Sequence, residues 1–151
     1  MGESTKITVE SNIDLKNAIL VGFATKDMET INAHFGGAKE FVVYKLSKEG
    51  YELNGVIKTN DSQLSGDEKT DFKVKTLQGI NIMYCESIGG TAAAKVIRGG
   101  INPMKVNEPR KIVDVLDELV VMVNDNPPPW VKQIMNIETV DDPRLARWTV
   151  E

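Results

Sequence analysis

His34 is the only histidine of this chain and Cys85 its only cysteine. A neutral imidazole nitrogen and a thiolate sulfur are both good ligands for a transition metal. His34 stands in Asn32-Ala33-His34-Phe35-Gly36-Gly37, the polar, glycine-containing composition of a loop between two strands. Glycines there permit close backbone approach to a ligand, so His34 is a candidate metal ligand. The ordinary alternative is a surface histidine bonded to its own loop. Cys85 ends an apolar run and precedes Glu86-Ser87-Ile88-Gly89-Gly90-Thr91. Open α/β sheets place ligands at the carboxyl ends of strands, and a glycine-containing turn into a helix offers N–H groups to an anion. Cys85, Gly89 and Gly90 are therefore candidate binding positions, and Cys85 a candidate metal ligand. A free cysteine is as often simply buried, and any strand-to-helix turn favours permissive backbone.

The same inventory excludes several chemistries. One cysteine can form neither an intramolecular disulfide nor a multi-thiolate cage, which suits a reducing cytoplasm. The sequence contains no two-histidine metal motif, no Cys-x-x-Cys, no Walker motif and no dinucleotide fingerprint. With 18 basic and 22 acidic residues the formal charge is −4, so the long-range field repels a polyanion and no nucleic-acid partner is expected. Charge is uneven, however. From Ala92 to Ile112, Lys95, Arg98, Lys105, Arg110 and Lys111 face only Glu108, a local balance that suits a compact anion. No apolar run approaches the ~18 residues of a spanning helix, and Met1 to Asn17 is too polar for a signal peptide, so no membrane association is expected.

The elements that must position these residues follow from hydrophobic periodicity. Residues 1–17 read as a flexible leader, 18–135 as one domain, and 136–151 as a weakly ordered tail. Ala18 to Ala24 is an apolar run of strand length, suited to a central strand buried on both faces. Glu40–Ser47 and Tyr51–Lys58 flank a Lys-Glu-Gly turn and predict a hairpin. A helix over Asp67–Leu77, a strand ending at Cys85, a helix opening at Gly89-Gly90 and stopping at Gly99-Gly100, and a strand over Ile101–Val106 follow. Asn107 and Pro109 suit the first turn of a last helix whose apolar face runs from Ile112 to Val123. The three prolines Pro127–Pro129 would stop that helix and aim Trp130 back at the body. This order predicts an α/β fold with a ribonuclease-H-like motif: a mixed five-stranded sheet, an antiparallel hairpin at one side, and flanking helices. A nuclease of that fold needs clustered carboxylates for two metal ions, and the first strand has none.

Taken together, Val21-Gly22-Phe23-Ala24-Thr25, Asn32-Ala33-His34-Phe35-Gly36, Met83-Tyr84-Cys85, Ile88-Gly89-Gly90-Thr91-Ala92 and Pro103-Met104-Lys105-Val106 resemble the dinitrogenase iron–molybdenum-cofactor-binding family. The ending Asn126-Pro127-Pro128-Pro129-Trp130-Val131 resembles its NifX branch. The resemblance implies a ribonuclease-H-like fold and a non-enzymatic carrier. That carrier would hold an iron–sulfur precursor of the iron–molybdenum cofactor, or the mature cofactor. Its partners would be the cofactor-synthesis enzyme and the cofactor-maturation scaffold, in the cytoplasm, and a monomer suits the role. It places the cluster-binding histidine of the family's His-Phe-Gly motif on His34-Phe35-Gly36, with Cys85 and Lys105 at other motif positions. Lys95, Arg98 and Lys105 are candidates for charge compensation. The alternative is an interaction or regulatory module of nitrogenase maturation that holds no metal itself.

Overall fold

In β2 (Ile19–Ala24), Ile19, Val21 and Phe23 point to one side of the sheet and Leu20 and Ala24 to the other, and nearly every residue is buried. That double burial makes β2 the centre on which the domain is built. The computed structural model describes residues 2–8, 18–61 and 63–135. Around β2 the hairpin strands β4 (Glu40–Ser47) and β5 (Gly50–Asn60) form as their alternation demands, with a register shift between Val43 and Tyr44. On the other side β2 runs parallel to β6 (Ile82–Cys85), which runs parallel to β7 (Asn102–Lys105). The parallel pairs require crossovers, made by α1 (Gly66–Thr76) after the hairpin and α2 (Gly90–Arg98) between β6 and β7. Gly100, at φ +85°, takes the left-handed position just past α2 that ends the helix as the Gly99-Gly100 pair predicts.

Three expectations are corrected. The sheet has six strands, in the order β1-β5-β4-β2-β6-β7, because Glu3–Thr8, expected within a flexible leader, forms β1 antiparallel to β5. β5 is longer than β4 and would otherwise present an open edge; β1 covers it from Glu3 opposite Asn60 to Thr8 opposite Gly55. The last long helix does not open at Asn107-Pro109. Arg110–Lys111 (β8) pairs with Thr30–Ile31 (β3) in a small second sheet, so α3 begins at Ile112 and runs to Asp125. Finally, Trp130 does not turn inward. Pro129 starts a short helix, α4 (Pro129–Ile134), whose spacing buries Val131 and Met135 and leaves Trp130 37% exposed. The expected tail at 136–151 lies outside the described residues, as do 9–17 of the leader.

Apolar side chains fill both faces of the sheet. Phe23, Tyr84, Leu116, Leu119, Val123 and Val131 belong to the face covered by α3 and α4. Phe35, Phe41, Leu77, Met83, Cys85 and Val96 belong to the face covered by α1 and α2. No helix among the described residues is long and apolar enough to cross a membrane.

Candidate functional site at the carboxyl ends of the parallel strands

Because β2, β6 and β7 run parallel, their carboxyl ends share one end of the sheet, and each releases a loop there. The loop after β2 carries His34, the loop after β6 carries Ser87 and leads to Gly89, and β7 ends at Lys105 opposite Cys85.

The His34 loop is anchored by its neighbours in sequence. Ala33 and Phe35 are buried at 2% and 1% exposure, while His34 between them is exposed. Two backbone bonds bracket the histidine: Glu86 N–H donates to the Ala33 carbonyl at 2.9 Å, and Phe35 N–H donates to the Ser87 carbonyl at 2.8 Å. Gly37 N–H donates to the His34 carbonyl at 3.2 Å and turns the chain back toward buried Ala38. His34 Nδ1 is hydrogen-bonded to Ser87 Oγ. Upstream, Asp27 accepts N–H bonds from Glu29 at 3.0 Å and Thr30 at 2.8 Å. Those bonds hold its carboxyl below the usual carboxylate range.

The other expected residues divide. Gly36, Gly89 and Gly90 lie at this end of the sheet, Gly89 as the N-cap of α2 and Gly90 as its first residue. None has a positive φ, and a Cβ built on any of them, or on Gly37, meets nothing within 4 Å among the described residues. The fold itself therefore does not require glycine at these positions, and open space lies over them. Lys105 is exposed at the end of β7. Phe35, in contrast, is a core anchor, tilted against Phe41 with ring centroids 6.2 Å apart, and acts on the site by fixing its loop. Cys85 is fully buried among the apolar side chains of the α1/α2 face. Burial pushes its thiol up to about 11, against the opposing pull of the Lys105 charge, so at neutral pH it is a protonated core side chain.

Lys95 and Arg98 do not join this site. Both lie in the last turn of α2, away from its glycine end. Lys95 is held by Asp71 at 2.8 Å and Asp67 at 3.4 Å, tying α2 to α1. Their expected role as charge compensation is corrected accordingly: helical rise carries them from the glycine turn, and two carboxylates one turn apart on α1 claim the ammonium. Among the described residues no group of three or more His, Cys, Asp or Glu side chains is placed to hold a metal ion. The chemistry available is that of one exposed imidazole, open backbone and a lysine at the same end of the sheet. Ser87 went unnoticed in the sequence because it lies 53 positions from its partner. Its place two residues past the strand-ending Cys85 was the available signal.

Comparison with known proteins adds the following. A sequence model described as dinitrogenase iron-molybdenum cofactor matches residues 17–121. "Protein NifX" of Sinorhizobium fredii is 34% identical over 136 residues, covering 85% of each chain. "Protein NifX" of Herbaspirillum seropedicae is 34% identical over 125 residues, covering 80% of this chain and 84% of that one. "FeMo cofactor biosynthesis protein NifB" of Rhizobium meliloti is 33% identical over 93 residues, 60% of this chain but only 19% of its own. The shared region contains His34, Ser87, Gly89, Gly90 and Lys105.

Proposed function

This chain belongs to the dinitrogenase iron–molybdenum cofactor family, in its NifX branch, and we propose that it binds an iron–sulfur precursor of that cofactor, or the mature cofactor, and passes it on. It takes part in iron–molybdenum cofactor biosynthesis as a cytoplasmic carrier and not as a catalyst. Its partners are the enzyme that builds the precursor and the scaffold that matures it.

The observation that carries this reading is His34: an exposed imidazole, bracketed by buried anchors, beside glycines that no neighbour constrains. Such an arrangement suits exchange. A closed structural site would surround its metal with ligands, whereas one imidazole with backbone donors and the Lys105 ammonium can hold an anionic cluster and release it. Cys85 lies below the site and contributes less than His34, since its thiol would have to leave the core and ionise before it could bind. The ribonuclease-H-like classification belongs to the same proposal. It is supported by the order β5-β4-β2-β6-β7, in which β2, β6 and β7 are parallel and β4 is antiparallel to β2 and to β5.

Anaerobic titration of wild type and His34→Ala with the same isolated iron–sulfur cofactor precursor tests the reading. The variant should lose binding while its circular dichroism stays unchanged, because an exposed loop substitution alters stability by no more than about 0.5 kcal/mol. Equal binding by both proteins would remove His34 as the ligand. Failure of wild type to take up the cluster at all would favour a metal-free regulatory module of nitrogenase maturation.

A further inference from the structure

We infer that Ser87 decides which nitrogen of His34 meets the cargo: the Ser87 hydroxyl holds Nδ1–H, and Nε2 is left as the ligating atom. This rests on the reading of His34 as the cargo ligand, and it adds the tautomer, the ligating atom and a positioning residue on a different loop.

The pairing is imposed by the backbone rather than by two surface side chains meeting by chance. The bonds from Glu86 to Ala33 and from Phe35 to Ser87 set the two loops side by side, with His34 between the bonded residues of its own loop. Buried Ala33 and Phe35 then fix the direction in which His34 projects. In this register Nδ1 falls on Ser87 Oγ, so that nitrogen is occupied by a protein partner.

A neutral imidazole has one N–H and one lone pair, on opposite nitrogens. With Nδ1 facing Ser87, a metal can reach only Nε2, and Nε2 is a ligand only if the proton sits on Nδ1. A serine hydroxyl can accept that N–H. It could also donate to a bare Nδ1, but only the accepting arrangement leaves Nε2 free for cargo, and in that arrangement the same bond holds the ring plane. Partners that orient a ligating histidine in this way commonly contribute 10–100-fold to metal affinity.

Because the chain has one histidine, its ring nitrogens give a single, self-assigned pair of signals in a ¹⁵N-labelled full-length protein. Long-range ¹H–¹⁵N correlation, recorded on the cargo-free protein at a pH where the ring is neutral, should show the Nδ1–H tautomer in wild type. Ser87→Ala should move the population toward Nε2–H, and Ser87→Thr should restore the wild-type pattern. Titrated anaerobically with the same isolated cluster, Ser87→Ala should bind roughly 10–100-fold more weakly, again with recovery in Ser87→Thr and unchanged circular dichroism. A wild-type protein in the Nε2–H form would overturn the inference, as would a Ser87→Ala variant that keeps both tautomer and affinity. His34→Ala separates this failure from that of the carrier reading. If that variant binds like wild type, His34 is no ligand, whatever its tautomer; if it loses binding while Ser87→Ala does not, only the role of Ser87 is wrong.

Discussion

Cys85 shows how a residue can occupy a binding-site position in sequence and a packing position in space. Its backbone is part of the site, since the Cys85 carbonyl accepts the Val106 N–H at 3.0 Å and lines up the loop ends, while its side chain is in the core. The thiol's ordinary value of 9.0 is pushed up to about 11 by burial, so the folded protein resists ionisation more than the unfolded chain does. The associated stability is fully present below pH 9.0 and is lost as pH rises toward about 11. Tyr84 beside it is pushed from 10.0 up to about 12 by burial, aided by the Glu118 charge, so its own loss begins higher. Urea unfolding of wild type and Cys85→Ala should therefore diverge between pH 9 and 11, the variant losing less stability over that interval. Parallel losses would mean that the thiol ionises freely in the folded state. At this scale the sequence was legible where a residue is unique of its kind, as His34 and Cys85 are. It was silent where function depends on a common residue brought in from afar. Ser87 resembles any other loop serine until two backbone bonds place it on His34.

At the scale of elements, the His34 loop rests on a buried charge. Lys73, in the last turn of α1, is fully buried, and its Nζ lies 2.5 Å from Asp61 Oδ2 just past the end of β5. The same ammonium donates to the Ala38 carbonyl at 2.6 Å, and Thr59 Oγ1 donates to that carbonyl at 3.2 Å. Ala38 closes the loop that begins at His34, so α1, β5 and the loop meet on one acceptor. Desolvation pulls the ammonium's pKa down, while the contact with Asp61, through hydrogen bonding and charge, pulls it up. Removing one member of such a pair leaves an uncompensated buried charge, which typically costs about 3–5 kcal/mol, whereas replacing both with apolar groups costs far less. Urea melts should accordingly show Asp61→Leu strongly destabilised and Lys73→Met/Asp61→Leu largely recovered. Additive losses in the double variant would show that the two side chains act independently. None of this was readable beforehand: Lys73 sits in a helix with weak amphipathicity and looks like a solvated lysine. The hairpin, the central strand and α2 were readable because their own periodicity or glycine signals define them. β1 and the Arg110–Lys111 bridge were not, because each is strand only by virtue of the edge it pairs with.

For the molecule as a whole, the central sheet divides the labour. The His34 loop draws its anchors, Ala33, Phe35 and Ala38, from the face covered by α1 and α2. The face covered by α3 is closed by α4, through Val131 and Met135. Deep packing on the second face should therefore set global stability without touching the site. The Pro-Pro-Pro-Trp segment tests this division, because its conspicuous residue and its buried residue are different ones. Trp130 is 37% exposed and Val131 is 0% exposed. Burial of a valine side chain is worth about 1.5–3 kcal/mol, so Val131→Ala should lower the thermal midpoint markedly, and Trp130→Ala should lower it less although it deletes a far larger side chain. Anaerobic cluster titration of both folded variants should match wild type, since Val131 packs on the face of the sheet opposite the anchors of the His34 loop. A larger loss of stability from Trp130→Ala would mean that the indole, and not the valine, closes the α3 face. Weakened cluster binding in a folded Val131→Ala protein would mean that the sheet transmits packing from one face to the loops of the other.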